Sequence, residues 1–206
     1  MNEKPIVPEE KSKIESDGQT QTFFSRALSL VKELAHVVLI SLAIILPVRY
    51  FLIQPFYVKG ASMEPNFYDH EYLIIDELSY RFNPPVRGDI VVFRYPNDPS
   101  QFFIKRIIGR PGEQVKVSGG KIFVNGTLLD ESSYLGTLNT AGEKELTLKA
   151  DEYYLLGDNR SASLDSRIFG PVSSQFLIGK VWFRGWPPER VKLFNQRNIY
   201  LGESSN

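Results

Sequence analysis

A serine hydroxyl attacks a carbonyl only when another group takes its proton, so the search for a nucleophile is a search for its base. In "KGASMEP", Lys59 to Pro65, Ser62 stands between Ala61 and Met63, shortly after the most apolar run of the chain. Three constellations could serve it. His70, in "FYDHEYLII", would make a Ser-His pair. A lone histidine beside acidic residues in a turn is more often a solvated surface group, and the other histidine, His36, lies inside the apolar run. Asp158 and Asp165, in "GDNRSASLDSR", could do acid–base or metal work, but Arg160 and Arg167 are close enough in sequence to hold both carboxylates ionised as structural ion pairs. The third candidate is Lys105, in "QFFIKRIIG". Strand alternation puts Lys105 on one face with Phe103 and Ile107, opposite Ile104, Arg106 and Ile108. Alternation by itself favours the plainer reading, a charge that guards a sheet edge. A lysine acts as a base only when neutral, several units below its ordinary value of about 10.4. Burial among apolar neighbours would bring that about, because desolvation disfavours the charged form. The adjacent Arg106 could not serve, since a guanidinium keeps its proton.

The elements that must position these residues read as follows. From residue 56 onward the pattern is period-two runs rich in Ile, Val, Phe and Tyr: "EYLIIDEL", "GDIVVFRYP", "QFFIKRIIG", "ELTLKADEYYLLGDN" and "FLIGKVWFRGWPP". "QVKVSGGKIFVNGTLLDE" reads as three strands joined at Gly119-Gly120 and Asn125-Gly126, dipeptides that supply the positive φ angles of tight hairpins. The fold expected is mainly β: an antiparallel body over 54–111 and 151–192, interrupted by a β-hairpin excursion over 112–150. No internal repeat or low-complexity tract occurs.

Ahead of it, "LAHVVLISLAIILPVRYFLIQPF" has fifteen residues without a formal charge between Glu33 and Arg49. A spanning helix wants about 20 apolar residues, and Lys32 and Arg49 could lengthen this one by snorkelling. No small-x-small cleavage pattern follows it, and nothing polar marks an outer face, so one transmembrane helix is expected within 23–53. Arg26 and Lys32 precede the span while Arg49 and Lys59 follow it, so charge does not orient it. Residues 1–22 are polar and mixed in charge, and are expected to be a disordered tail; 193–206 are a C-terminal tail.

Composition removes several classes of function. The 206 residues include 24 Lys plus Arg and 24 Asp plus Glu, so no basic surplus points to nucleic acid. The absence of cysteine excludes disulfides, thiolate nucleophiles and cysteine-ligated metals, and two histidines leave little for zinc.

Taken together, "SMEP" (Ser62 to Pro65), "RGDIVVF" (Arg87 to Phe93), "IKRIIGRPGE" (Ile104 to Glu113) and "GDNRSASLDSR" (Gly157 to Arg167) occur in order behind an N-terminal span. In this combination the chain, over about residues 45–190, resembles the type I signal peptidases, membrane-bound Ser/Lys peptidases that remove leader sequences. The resemblance implies Ser62 as nucleophile, Lys105 as general base, Ser163 as the hydroxyl that orients the lysine amine, and Asp158, Asp165 and Arg167 as an ion-pair scaffold. It implies the Ser62 N–H as one oxyanion donor. Gly60 stands where many members carry a serine whose hydroxyl is the second donor, which leaves that donor unidentified; Asn66 stands where threonine is common.

The same resemblance implies shallow apolar pockets for small residues at the first and third positions before the cut. The matching residues are Phe56, Val58, Met63, Phe67, Phe103 and Ile104, with one or two of them expected to be ordinary core. Precursor proteins with signal peptides and the lipid bilayer are the implied partners, with no nucleic acid, metal or cofactor. The implied topology is a single pass with a cytoplasmic N-terminus and an extracytoplasmic body, in a cell or thylakoid membrane. Two rivals are a Ser/Lys self-cleaving repressor, whose DNA-reading module is missing here, and a membrane-anchored β scaffold without chemistry.

Overall fold

The computed structural model describes residues 12–51, 53–136 and 139–194. The chain divides into two compact units, Met1–Val48 and Arg49–Asn206. Helix α1, Ser12–Phe51, contains the apolar segment Leu28–Leu46, 19 residues with a mean hydropathy of 2.0. At ~1.5 Å per residue that segment is about 28 Å long, close to the thickness of a bilayer core. Its large side chains are bare; Leu34 and Leu39 are each 66% exposed. The helix starts at Ser12, so residues 12–22 are helical rather than disordered. Once a helix is nucleated each further residue adds a hydrogen bond, and no proline interrupts this stretch. The rest of the expected N-terminal tail, residues 1–11, and residues 195–206 lie outside the described residues.

All the strands among the described residues belong to the second unit. They are β1 Ile53–Tyr57, β2 Tyr72–Asp76, β3 Ile90–Tyr95, β4 Asp98–Gly109, β5 Gln114–Ser118, β6 Lys121–Val124, β7 Thr127–Leu128, β8 Lys144–Thr147, β9 Glu152–Leu156, β10 Val172–Ser173, β11 Leu177–Trp186 and β12 Lys192–Leu193. The larger, antiparallel sheet has the order β1-β2-β11-β3-β4-β9-β10, with β12 paired to β11. The smaller sheet has the order β7-β6-β5-β8.

The continuous apolar run "IVVF" of β3 is explained by its central place. Ile90 and Val92 pack with Leu73, Ile75 and Ile104 on one face, while Val91 and Phe93 pack with Ile107 and Leu155 on the other. The small sheet is the inserted excursion. Its turns use Gly119 and Gly120 (φ 58° and 80°) and Asn125 and Gly126 (φ 50° and 79°), the left-handed pairs that a two-residue hairpin needs. It shares a core with the large sheet, since Val115, Val117, Ile122 and Val124 pack with Ile108, Tyr154 and Leu156. Strand β4 pairs with β3 along most of its length and with β9 at its end, so Lys105 lies on an inner strand and not at an edge.

Candidate active site

The segment after β1 turns back on itself to present Ser62. Its ends are closed by Val58 N–H donating to Glu71 O (2.9 Å) and His70 N–H donating to Val58 O (3.1 Å). His70 has φ +68°, an unusual conformation for a residue with a side chain. Within the loop, Phe67 N–H donates to Met63 O at 2.9 Å, and the two apolar side chains are buried beneath it, Met63 1% and Phe67 0% exposed. Both belong to the core cluster of Val58, Leu73 and Ile75. Met63 and Phe67 are therefore anchors of the turn rather than pocket wall, because their spacing points both of them inward.

Two asparagines hold this turn. Asn159 donates its backbone N–H to Ser62 O (3.0 Å) and its side-chain amide to Ala61 O (3.1 Å). Asn66 donates to Asp158 Oδ2 (2.8 Å) and to Tyr134 O (2.9 Å). Sequence reasoning missed both roles. Asn159 was visible only as part of a motif, and Asn66 only as a departure from threonine.

Lys105 enters from β4. Its Nζ lies 2.7 Å from Ser62 Oγ and donates to Ile104 O at 2.9 Å. The residue is 3% exposed, with the Phe103 ring centroid 5.5 Å from the amine. Burial lowers the lysine from its ordinary 10.5 to about 8, against the pull of the Asp165 and Asp158 carboxylates, which favour the charged form. Burial outweighs that pull, and each carboxylate is itself paired with an arginine. Arg106 Nε donates to Asp158 Oδ1 (2.7 Å) and Nη2 to Oδ2 (2.6 Å), while Arg167 Nε and Nη2 both donate to Asp165 (2.8 Å). The partner of Asp158 is thus Arg106, not the sequence neighbour Arg160. Arg160 instead meets Glu131 at 2.5 Å, because the turn carrying Asp158 closes against β4.

Ser163 departs from expectation. Its Oγ is buried and has no hydrogen-bond partner among the described residues, so the expected hydrogen bond to the lysine amine is not made. Ser163 packs instead against Gly157, whose N–H donates to Asp165 Oδ2 at 3.1 Å. His70, the rival base, bonds Tyr57 Oη and lies 3.3 Å from Asp69 with its side chain 73% exposed. Gly60, at φ +89°, donates its N–H to Asp69 Oδ1 at 3.0 Å.

Gly157 offers a direct test of this packing. A Cβ there would stand 2.5 Å from Ser62 O and inside the Ser163 side chain. Gly157→Ala is expected to push the nucleophile turn off Lys105 and lower kcat by about 100-fold, the effect of a misplacement of about 1 Å. Steady-state cleavage of a peptide with kcat within twofold of wild type would contradict it.

A cavity of about 470 Å³ opens in front of Ser62 and Lys105. Phe56, Val58, Phe103 and Ile104 line it as expected, joined by Val92 and Phe102. Val92 could have been found from pairing, since it sits opposite Ile104 on the neighbouring strand. The arrangement is a hydroxyl, a buried amine of lowered basicity and an apolar trough beside them, which together can transfer an acyl group.

The family described as signal peptidase, peptidase S26, matches residues 31–186. A signal peptidase I from Leptolyngbya laminosa is 39% identical over 160 residues, 74% of this chain and 78% of that protein. The signal peptidase IB of Staphylococcus aureus is 32% identical over 177 residues, 77% of this chain and 92% of that protein. A crystal structure of a signal peptidase I from Enterococcus faecalis is 33% identical, covering 48% of this chain and 97% of that chain with a TM-score of 0.44. With the matched residues running from the apolar helix to the end of β11, through the serine turn and the lysine strand, the chain belongs to the signal peptidase family, peptidase S26.

Proposed function

We propose that this signal peptidase removes signal peptides from precursor proteins with Ser62 as nucleophile and Lys105 as its general base. The observation that carries the assignment is the 2.7 Å approach of a buried lysine to the serine hydroxyl. While protonated, Nζ donates to Oγ. Once neutral, its lone pair accepts the hydroxyl proton as Oγ attacks the scissile carbonyl. The Ser62 N–H donates to the developing oxyanion, where one such donor contributes roughly 100-fold or more. The lysine then returns its proton to the leaving amine, and water hydrolyses the acyl-enzyme. The chemistry needs no metal or cofactor. Asp158, Asp165 and Arg167 act as scaffold.

The trough walls Phe56, Val58, Phe103 and Ile104 leave room for small side chains at the first and third positions before the cut. Members of the family are membrane-associated, and the apolar helix α1 suits a single span with the N-terminus cytoplasmic and the β body outside, in a cell or thylakoid membrane. Exposed Trp182 and Trp186 on β11, 45% and 53% accessible, are side chains of the type that rest at headgroup level.

Incubating the detergent-solubilised protein with a preprotein and sequencing the new N-terminus of the product tests the reading. Cleavage after a small residue at the end of the leader is expected; an intact preprotein or a cut elsewhere would refute it. The pH profile is a second check. The base works only when neutral, so kcat/KM should rise roughly tenfold per unit until the lysine value of about 8 and then level off. A rise centred near the ordinary histidine value, about 6.5, would point to His70 instead.

A further inference from the structure

A second cavity, of about 460 Å³, meets the catalytic one at Phe102. On the two central strands they share the face of Val92, Arg94, Phe102 and Ile104, to which the catalytic cavity adds Phe103 and Lys105 of the other face. Val92 pairs with Ile104 and Arg94 with Phe102, and alternate strand residues share a face. Phe102 is the wall between them: Phe56 of the first cavity packs edge-on to it at 5.6 Å, and the Arg94 guanidinium of the second lies 4.9 Å from its ring centroid. Glu77 lines the second cavity together with Arg81, whose charge acts on its carboxylate, and Glu77 Oε1 is buried with no hydrogen-bond partner among the described residues. Such an acceptor is costly unless a donor reaches it.

We propose that this second cavity is a substrate subsite that receives the precursor about four to six residues before the cut, with a hydrogen-bond donor of the peptide on Glu77 Oε1. The proposal rests on the Ser62–Lys105 reading above. Lys105 to Phe102 is three residues, about 10 Å along β4, and an extended peptide advances by the same ~3.3 Å per residue. A chain whose scissile bond lies at Ser62 and whose next residues follow the trough therefore passes Phe102 after its third residue. Uncharged donors such as Ser, Thr, Asn or Gln suit the site, because Arg81 and Arg94, which both line it, repel lysine.

The test uses the full-length protein in detergent and two peptides. One begins three residues before the cut, the other ten residues before it with Asn at the fifth. Wild type should cleave the long peptide with a kcat/KM about fivefold higher, the factor for one hydrogen bond. Glu77→Leu should lose that preference and cleave the short peptide as before. If Glu77→Leu does not fold, Arg94→Glu should turn a preference for Asn over Lys at the fifth position into the reverse. Equal cleavage of both peptides by wild type, an equal loss on both in Glu77→Leu, or an Asn preference unmoved by Arg94→Glu would overturn the subsite. Failure of the underlying reading looks different: Ser62→Ala would then still cut both peptides.

A separate observation concerns Asp69. Its Oδ1 accepts the N–H of Gly60 at 3.0 Å and that of His70 at 3.1 Å, tying together the two sides of the loop that presents Ser62. We infer that Asp69 is a positioning residue for the nucleophile, acting as a backbone acceptor rather than as a charge. Asp69→Ala should lower kcat about tenfold with KM unchanged, while Asp69→Asn, which keeps the accepting oxygen, should stay within twofold of wild type. The pH midpoint should not move in either. An Asn variant as impaired as Ala, or an Ala variant with normal kcat, would overturn the inference.

Discussion

Lys105→Met is expected to abolish processing and at the same time to stabilise the protein. In the mechanism proposed above nothing else takes the Ser62 proton, and removing one member of a nucleophile–base pair costs roughly 10⁴-fold or more in rate. Stability moves the other way because the folded lysine is depressed from 10.5 to about 8. A base with a lowered folded value is paid for below that value, where the native state must hold a buried charge; the penalty shrinks as pH rises from about 8 to 10.5 and is gone above. At neutral pH nearly the full penalty applies, on the order of 3 kcal/mol at ~1.4 kcal/mol per pKa unit. Methionine has similar bulk and no charge, so denaturant unfolding at pH 7 should show a gain of up to about 3 kcal/mol. That gain should vanish near pH 11. Lys105→Arg should be inactive and less stable, since a guanidinium keeps its charge in the same pocket. Ser62→Ala should be inactive without the gain. Measurable processing by Lys105→Met, or a stability loss at pH 7, would remove the argument that the pocket exists to neutralise this amine.

The second large effect lies behind the site. Asp158→Ala leaves the Arg106 guanidinium, its side chain 4% exposed, without its carboxylate. A buried charge stripped of its partner costs about 3–5 kcal/mol. Arg106 also lies 4.1 Å from the centroid of the Tyr134 ring and donates to Gly88 O at 3.1 Å, so it is packed too firmly to swing out to water. Asn66 loses its carboxylate contact in the same variant, which loosens the serine turn, so activity should fall along with stability. Urea titration measures the first effect, and the double variant Asp158→Leu with Arg106→Leu separates the two causes. Replacing both charges by apolar groups should recover much of the stability but not the rate. A loss under 1 kcal/mol in Asp158→Ala would mean that the pair is solvated and plays no part in shielding Lys105.

Both effects come from one arrangement. The strand "IKRIIG" carries a lysine and an arginine on opposite faces, and the fold uses the difference in their chemistry. Arg106 holds a permanent charge and neutralises Asp158; Lys105, left without an unpaired carboxylate nearby, can give up its own. If Asp158 and Asp165 were not already bonded to arginines, their fields would hold the amine protonated and the base would fail.

The sequence alone was enough for the apolar helix, the strand-rich body and the two hairpin turns, because each of these is written locally; for Lys105 alternation favoured an edge charge, and only the resemblance joined it to Ser62. Periodicity, turn dipeptides and a charge within an apolar run act over a few residues. Only the tertiary structure decided which arginine neutralises Asp158, that Met63 and Phe67 are core, that Ser163 makes no hydrogen bond to the amine, and that Asn66 and Asn159 hold the turn. These contacts join residues far apart in the chain, and the composition of a segment says nothing about what folds against it. The depressed lysine belongs to the same class, since desolvation is a property of the surroundings, and those are assembled only when β3, β4 and the serine loop close on one another.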